Sequence, residues 1–382
     1  MITRTKIGCF RNGLFPLWIT GATLLLFSCD KTKETPEPID KEPTPVSWKK
    51  PDHFPDPVYD LSRNPLTEEG IELGRFLFYD GILSRTNKIG CGTCHQPQVA
   101  FTHHGHELSH GVDDLLGTRN APSTQNLAWS PVFFWDGGVH DLDFVPFNPI
   151  ANPVEMDETV PNILDKLRAS PHNGSGTKVD YPNMFKKAFG TEEINTERMM
   201  KALSQFMMTM VSATSQYDFY LMGDQSALNP LEKEGMLLFE QKCSSCHSGV
   251  LQTDHSFRNN GLMPLRINDQ GRFNVSTRTE DKYKFKVPSL RNVGVTNPYM
   301  HDGRYHTLEE VLDHYSRNIA HFYHSGSEAV ETLDPLLANP ANPGIPMTQD
   351  EKKAIIAFLH TLTDEIFNSN PQLKDPGVGN AF

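Results

Sequence analysis

Two pentapeptides decide the class of this chain: Cys91-Gly92-Thr93-Cys94-His95 and Cys243-Ser244-Ser245-Cys246-His247. Two thiols separated by two residues and followed at once by a histidine form the attachment site of c-type haem. Both thiols bond to the porphyrin and the imidazole binds the iron. The spacing matters because two intervening residues let both sulfurs reach one porphyrin edge. The repeated pattern therefore predicts two covalently bound haems.

The same cysteines have two alternative readings, a zinc site and a pair of redox dithiols. Zinc sites separate their Cys-x-x-Cys pairs by roughly 15 to 20 residues, whereas these pairs begin 152 residues apart and a histidine follows each. The remaining cysteines, Cys9 and Cys29, lie near the N-terminus, which leaves none for a structural disulfide. The spacing favours haem over both alternatives.

The N-terminus predicts export. Arg4, Lys6 and Arg11 precede an interrupted apolar run over residues 14–27, which is typical of a secretory signal. The run ends in Leu-Phe-Ser-Cys29, which resembles a lipobox and predicts a signal peptide over 1–28, with Cys29 lipidated on the periplasmic side of the envelope. An uncleaved membrane anchor is the alternative, and it exports the chain as well.

The segment that follows Cys29 is rich in Pro and charged residues and poor in apolar ones. Such a segment buries too little surface to fold alone, so we predict a flexible tether over 29–60. The whole 382-residue chain has a net charge of −12, and removal of the basic signal would make it more acidic. An acidic body makes nucleic acid an unsuitable partner.

A repeated phrase precedes the two pentapeptides. Residues 64–70 read Asn-Pro-Leu-Thr-Glu-Glu-Gly and residues 229–235 read Asn-Pro-Leu-Glu-Lys-Glu-Gly, an offset of 165. This predicts two related haem c domains, over 61–225 and 226–368, with 13 extra residues between helix and motif in the first copy and a tail over 369–382.

Apolar residues recur at helical spacing in several segments, and no alternating run long enough for a sheet stands out. Thr307 with Glu310 and Thr348 with Glu351 fit capping boxes at helix starts. A Met-rich stripe between the halves is typical of core packing. The predicted fold is mainly α-helical, with long irregular loops.

Further motifs resemble the bacterial di-haem cytochrome c peroxidases and their MauG-like relatives, from about Asn64 to Leu362. They follow in family order and are Gly117-Thr118-Arg119-Asn120-Ala121-Pro122, Phe134-Trp135-Asp136-Gly137, Asn152-Pro153-Val154-Glu155-Met156, Lys286-Val287-Pro288-Ser289-Leu290-Arg291-Asn292 and Pro298-Tyr299-Met300-His301-Asp302-Gly303.

The resemblance implies that the N-terminal haem on His95 reacts with peroxide, while the C-terminal haem on His247 receives and relays electrons. Glu155 matches the family's distal acid, which can move protons during peroxide cleavage. Trp135 matches the tryptophan between the haems, which can carry electrons between them. The alternative is that Trp135 is a buried aromatic residue with a packing role only.

The resemblance also implies one calcium ion between the haem domains, at Asn120, Thr296 and Pro298. Oxygen ligands, including backbone carbonyls, suit calcium. Ordinary turn residues are the alternative reading of these positions.

The chain departs from the peroxidases where their relay haem has a methionine ligand, because Tyr315 stands there as in MauG-like relatives. Tyr315 follows Leu308 and Leu312 at helical spacing, which fits a haem ligand or a core tyrosine, and Met300 is a fallback ligand. A tyrosine oxygen favours higher oxidation states of iron than methionine does. Val145 replaces a glutamine common in the family's distal pocket.

A histidine cluster follows the first pentapeptide at positions 103, 104, 106 and 110. In some peroxidases a histidine of this loop caps the N-terminal haem in the resting state. The register is imperfect, so His110 is either such a ligand or, with its neighbours, part of a solvated loop.

These features predict a peroxidase that reduces hydrogen peroxide with electrons from a small donor such as a cytochrome c. A MauG-like oxidase acting on a protein or organic substrate, and a non-catalytic electron carrier, are the alternatives. The family also often forms homodimers.

Overall fold

Helices joined by long loops make up most of the protein. The computed structural model describes residues 42–171, 177–265 and 267–379. Its α-helices are α1 (Glu68–Tyr79), α2 (Cys91–Cys94), α3 (Phe147–Ala151), α4 (Val160–Ala169), α5 (Tyr181–Phe189), α6 (Thr196–Met208), α7 (Gln216–Leu221), α8 (Pro230–Lys242), α9 (Phe273–Ser276), α10 (Leu308–Asp313), α11 (Ile319–Tyr323), α12 (Gln349–His360) and α13 (Glu365–Ser369).

Short elements connect these helices. A π-helix spans His314–Asn318, and strands β1 (Phe257–Arg258) and β2 (Phe285–Lys286) pair antiparallel. The 3-10 helices are Leu61–Arg63, Gly81–Leu83, Pro97–Val99, Val112–Asp114, Leu127–Trp129, Leu142–Phe144, Thr279–Asp281, Val293–Val295, Glu328–Thr332 and Pro371–Leu373. The prediction of a mainly helical chain is confirmed.

Helices α1 and α6 pack together in the N-terminal half. The hydroxyl of Thr67 caps α1 by accepting from the Gly70 amide. The Met-rich stripe lies on α6 and is buried, with Met199 and Phe206 fully inaccessible. At the crossing, a Cβ on Gly74 would overlap the carbonyl oxygen of Ala202, so only glycine permits this approach.

Helices α8 and α12 form the corresponding pair in the C-terminal half. Thr348 and Glu351 make the predicted capping box at the start of α12, and Thr307 with Glu310 does the same for α10. A Cβ on Gly235 would overlap the carbonyl oxygen of Ala354, which repeats the close approach of the first pair.

The close contacts of the two helix pairs are separated by a different number of residues than the two copies of the repeated phrase. Gly74 and Gly235, which occupy equivalent crossings, are 161 residues apart, whereas the phrase aligns Gly70 with Gly235 at 165. The phrase misleads because Asn229 is the N-cap of α8, while Asn64 precedes α1 and is buried against α6. The first copy then carries nine extra residues, the difference between 161 and the 152 that separates the haem motifs.

The predicted tether ends earlier than residue 60. Residues 42–60 lie on the folded body, where Phe54 is buried and its ring contacts Trp129 edge to face at 5.0 Å. The Trp48 indole donates to the Met208 carbonyl at 3.1 Å, and His53 Nε2 lies 2.8 Å from a carboxylate oxygen of Asp218. The prediction was wrong for 42–60, because isolated aromatic residues supply anchors that average composition conceals.

The predicted tail is also packed over its described part. The Tyr79 hydroxyl donates to the Leu373 carbonyl at 2.5 Å, and Arg75 donates to the carbonyls of Pro371 and Lys374. Leu373 is buried in the core of the N-terminal half. Residues 371–374 therefore pack against α1, which composition alone did not indicate.

From residue 42 onward the described residues belong to one compact unit, so the division at 225 and 226 stays a prediction. The signal peptide, Cys29 and the first part of the tether lie outside the described residues. Within the described ranges, no helix has both the length and the apolar character needed to cross a bilayer.

Candidate haem and electron-transfer site

A cavity of about 1340 Å³ is lined by residues of both halves. It brings together the described residues for which the sequence predicts a role at haem, at calcium or in electron transfer. These are Cys91, Cys94, His95, Asn120, Trp135, Glu155, Cys243, Cys246, His247, Thr296, Pro298 and Tyr315. Residues that are far apart in the chain therefore line the same cavity.

The first pentapeptide forms the one-turn helix α2 with His95 directly after it. The amide of His95 donates to the Cys91 carbonyl at 2.9 Å, and its ring Nδ1 lies 2.8 Å from the Phe101 carbonyl. Because a carbonyl only accepts, Nδ1 carries the proton and Nε2 keeps the lone pair that binds a metal. The Phe78 ring of α1 lies 6.4 Å from the His95 ring, tilted by 45°.

The second pentapeptide repeats this arrangement. The Nδ1 of His247 lies 3.2 Å from the Gln252 carbonyl, and the Phe239 ring of α8 lies 6.5 Å away at 46°. Burial lowers the pKa of both His95 and His247. Both imidazoles are therefore neutral near pH 7, which is the form that binds iron.

The thiols fit haem attachment better than dithiol exchange. Burial raises the pKa of Cys91, Cys94 and Cys243 to about 12, so these groups are thiols, whereas exchange requires thiolates. Across the described ranges, no three His, Cys, Asp or Glu residues are arranged to hold a metal ion. Free thiols beside neutral imidazoles on a large cavity fit c-type haem.

Glu155 lies in the turn that follows Asn152. Its amide donates to the Asn152 carbonyl at 3.0 Å and its carbonyl accepts from the Val112 amide at 2.7 Å. A Cβ on Gly111 would overlap the Glu155 backbone. The loop that follows the first pentapeptide therefore packs directly against the turn that contains Glu155. Burial raises the pKa of Glu155, against a hydrogen bond from the Asn152 side chain. A buried carboxyl with a raised pKa suits proton transfer.

Trp135 contacts both halves of the molecule. Its indole donates to the Asn120 carbonyl at 2.9 Å, and its own carbonyl accepts from the Lys286 amide in β2 at 2.7 Å. The neighbouring Asp136 accepts from Arg119, which also forms a two-bond ion pair with Asp269 at 2.6 and 2.9 Å. The tryptophan is therefore fixed at the junction rather than held by packing alone.

The ion pairs of Arg119 with Asp136 and Asp269, which fix the segment that contains Trp135, were not predicted from the sequence. Arg119 and Asp136 stand in motifs quoted for the family resemblance, but Asp269 lies in a loop without periodicity or a recognisable motif. No local signal in the sequence pairs it with Arg119 across 150 residues. Asp136, directly after Trp135, is a charged residue that could have suggested an ion pair at this position.

Tyr315 reaches the cavity from the π-helix His314–Asn318, which continues from α10. The Asn260 amide nitrogen lies 3.5 Å from the Tyr315 hydroxyl and 3.5 Å from the Met300 sulfur, so both candidate ligands meet at Asn260. Burial raises the pKa of Tyr315 to about 12. A π-turn within a helix often marks a functional position.

The three residues predicted at calcium line the cavity, where Asn120 offers its amide oxygen and Thr296 its hydroxyl. The amide nitrogen of Asn120 donates to the carbonyls of His106 and Glu107 at 3.0 and 3.2 Å, which leaves the amide oxygen available. Thr296 and Pro298 can supply backbone carbonyls, as calcium sites often require. These oxygen donors are of the kind that calcium binds.

The histidine loop is exposed over residues 104–107, while His103 is buried and His110 is half-buried. His103 is buried and its ring stacks on His106 at 4.0 Å, while His104 and His106 are exposed. His110 lines the cavity, and its Nδ1 lies 3.0 Å from a carboxylate oxygen of Asp114. Val145, which stands where the family often has a glutamine, also lines the cavity. The ligand role of His110 stays a prediction.

Known proteins resemble this chain over most of its length. A family model described as di-haem cytochrome c peroxidase matches residues 68–226. The methylamine utilization protein MauG of Methylorubrum extorquens is 35% identical over 83% of this chain and 84% of its own. The cytochrome c551 peroxidase of Nitrosomonas europaea is 34% identical over 82% of this chain and 84% of its own.

A solved structure shows the same likeness. The crystal structure of a MauG-like protein associated with microbial copper homeostasis has a TM-score of 0.75 and 32% sequence identity. The match covers 87% of this chain and 99% of that chain. The relatives therefore include both peroxidases and MauG proteins.

Proposed function

This chain belongs to the di-haem cytochrome c peroxidase family, and on that premise we propose that it reduces hydrogen peroxide to water with electrons from a small donor protein. When bound, the two haems supply the redox chemistry that delivers two electrons to one peroxide. Two protons must also be supplied, since one peroxide then yields two waters. The protein moves those protons and positions the groups between the haems.

The observation that carries the proposal is the position of the Glu155 carboxyl in the cavity. This group is a half-buried carboxyl with a raised pKa on the cavity wall, within electrostatic reach of Cys94 in the first pentapeptide. Such a group can take a proton from one peroxide oxygen and return it to the other. A protein that only carried electrons would not need a buried acid at this place.

We further propose two related haem domains, over 61–225 and 226–368, with the N-terminal one peroxidatic. The matching sets Gly74, Phe78, His95 and Gly235, Phe239, His247 support this division. Trp135 then serves as the bridge for electrons from the C-terminal haem. Its contacts with both halves support that role.

Calcium at Asn120, Thr296 and Pro298 completes the proposal as a structural ion between the domains. The free side-chain oxygen of Asn120 supports it. Lipid anchoring through Cys29 on the periplasmic side rests on the N-terminal sequence alone.

The test is donor-linked peroxide consumption. Holoprotein matured in a host that attaches c-type haem is mixed with hydrogen peroxide and a reduced small c-type cytochrome. We expect two donor molecules to be oxidised for each peroxide consumed. Intact haem spectra without donor oxidation would reject the peroxidase proposal.

Tyr315 favours a second candidate, a MauG-like oxidase that uses the same oxidising power on a protein or organic substrate. Its hydroxyl lies in the cavity beside Met300, at the second haem motif. An oxygen ligand would make this haem a poorer acceptor from a high-potential cytochrome than a sulfur ligand would.

Spectroscopy of Tyr315→Phe distinguishes the two candidates. If the tyrosine oxygen is a ligand, the variant loses the corresponding low-spin signal and one haem becomes high-spin or binds Met300. Tyr315→Met is the matched variant, since it restores a sulfur ligand and raises the potential. Unchanged spectra in both variants would remove Tyr315 from the haem and weaken the oxidase candidate.

A further inference from the structure

Two half-buried basic side chains on the wall of the cavity, Lys286 and His255, have no acidic partner among the described residues. Lys286 donates to the Val132 carbonyl at 3.2 Å, and within the described ranges no carboxylate lies at ion-pairing distance from it. Both ring nitrogens of His255 are buried without a hydrogen-bond partner among the same residues. Both side chains line the cavity.

The fold brings these residues together from two segments. Strand β2, which contains Lys286, pairs with β1, which begins two residues after His255. The Val287 amide donates to the Ser256 carbonyl at 2.8 Å, and the Thr253 hydroxyl donates to the Val287 carbonyl at 2.7 Å. His255 lies eight residues after His247, and the strand pairing brings Lys286 next to this segment.

The nearby acidic residues are already used. Asp254 accepts from Arg258 at 3.0 Å and from the Ser256 hydroxyl at 2.7 Å. Asp334 accepts from the same arginine at 3.0 Å. Both carboxylates are thus engaged by Arg258, and a bound anion could take the place of an acidic partner for Lys286.

The ionisation of the pair defines the chemistry of that group. Burial lowers the pKa of Lys286 to about 8, so the amine remains mostly charged at pH 7. Burial and the neighbouring lysine lower the pKa of His255 to about 4, which makes it a neutral donor. A buried cation beside a free N–H donor is complementary to an anion that accepts hydrogen bonds.

We propose that Lys286 and His255 together bind one carboxylate of the haem attached at Cys243 and Cys246, a propionate at the junction with Trp135. This inference rests on the haem content of the proposed function, but not on peroxide turnover. Lys286 donates to the Trp135 carbonyl through its backbone amide and to the Val132 carbonyl through its side chain, so the residue lies where the two halves meet.

The test is potentiometric titration of the holoprotein, with each haem followed by its own electron paramagnetic resonance signal. A positive charge stabilises the reduced haem, so Lys286→Met should lower the potential of the C-terminal haem. We expect the reduction equilibrium to shift by about tenfold, which is about 59 mV for one electron. Lys286→Arg keeps the charge and should leave the potential close to wild type.

His255→Leu tests the second half of the pair and does not depend on the folding of Lys286→Met. It should shift the same haem in the same direction by a smaller factor. If both residues hold one carboxylate, the double variant should shift the potential by less than the sum of the single shifts. Additive shifts, a shift confined to the N-terminal haem, or no shift would each overturn the proposal.

Failure of this proposal can be distinguished from failure of the peroxidase function. Potentials report the charge beside a haem whether or not the protein consumes peroxide. A protein that shows the expected shifts but no donor oxidation would retain the carboxylate site and lose the peroxidase assignment. Normal turnover with unchanged potentials would give the reverse result.

Discussion

Replacement of Glu155 by Gln removes a titratable carboxyl while keeping its size and its ability to hydrogen-bond. The side chain is half-buried and lines the cavity, where it can reach a bound peroxide. General acid–base groups typically contribute 10²- to 10⁴-fold to rate. The loss in kcat/KM should fall in this range, which corresponds to about 3–5 kcal/mol of transition-state stabilisation.

The pH profile gives a second readout. Burial raises the pKa of Glu155, and the ionised form is the one that accepts a proton from peroxide. Activity should therefore fall as pH drops through this raised pKa, at a higher pH than an exposed glutamate would give. In Glu155→Gln this acidic limb should disappear, and the remaining slow rate should vary little with pH there.

Glu158→Gln is the matched control. Glu158 is a carboxyl in the same turn, but it is buried, pairs with Lys166 and does not line the cavity. Its replacement should lower stability and retain the acidic limb. The assay is peroxide-dependent oxidation of reduced cytochrome c, with haem content checked by absorbance. A wild-type rate and unchanged pH profile in Glu155→Gln would refute the assignment.

Two further predictions concern the fold that holds the cavity. Burial works to raise the pKa of Asp218, but the buried Arg291 guanidinium outweighs it and the pKa ends below its usual value, so this contribution to stability is present above the unfolded pKa and lost as pH falls through the folded one. Asp218→Asn should lower the free energy of unfolding by about 3–5 kcal/mol at pH 7 in urea titrations and by less at acid pH, and an equal loss at both would contradict the ion pair. Gly235→Ala should destabilise by about 1–3 kcal/mol despite the better helix propensity of alanine, because its Cβ would overlap the Ala354 carbonyl oxygen. The exposed neighbour Glu234→Ala serves as control, and a stabilised Gly235→Ala would show that the helices can separate without loss.

Local sequence determined the features that depend on residues close together in the chain. A haem attachment site needs two thiols and an imidazole within five residues, so its chemistry can be read without tertiary structure. The capping boxes at Thr307 and Thr348 were predicted for the same reason, because each involves hydrogen bonds within one helical turn. The mainly helical class followed from apolar spacing.

Only the tertiary structure decided features that depend on contacts between distant segments. The register of the helix pairs is set where Gly74 and Gly235 meet backbone oxygens more than a hundred residues away, and the repeated phrase could not show this. Residues 42–60 and the end of the chain pack through a few aromatic and backbone contacts, against their polar composition. The isolation of Lys286 from carboxylates is also a property of folded surroundings. Burial and pairing depend on what surrounds a side chain in space, and a sequence records only its neighbours along the chain.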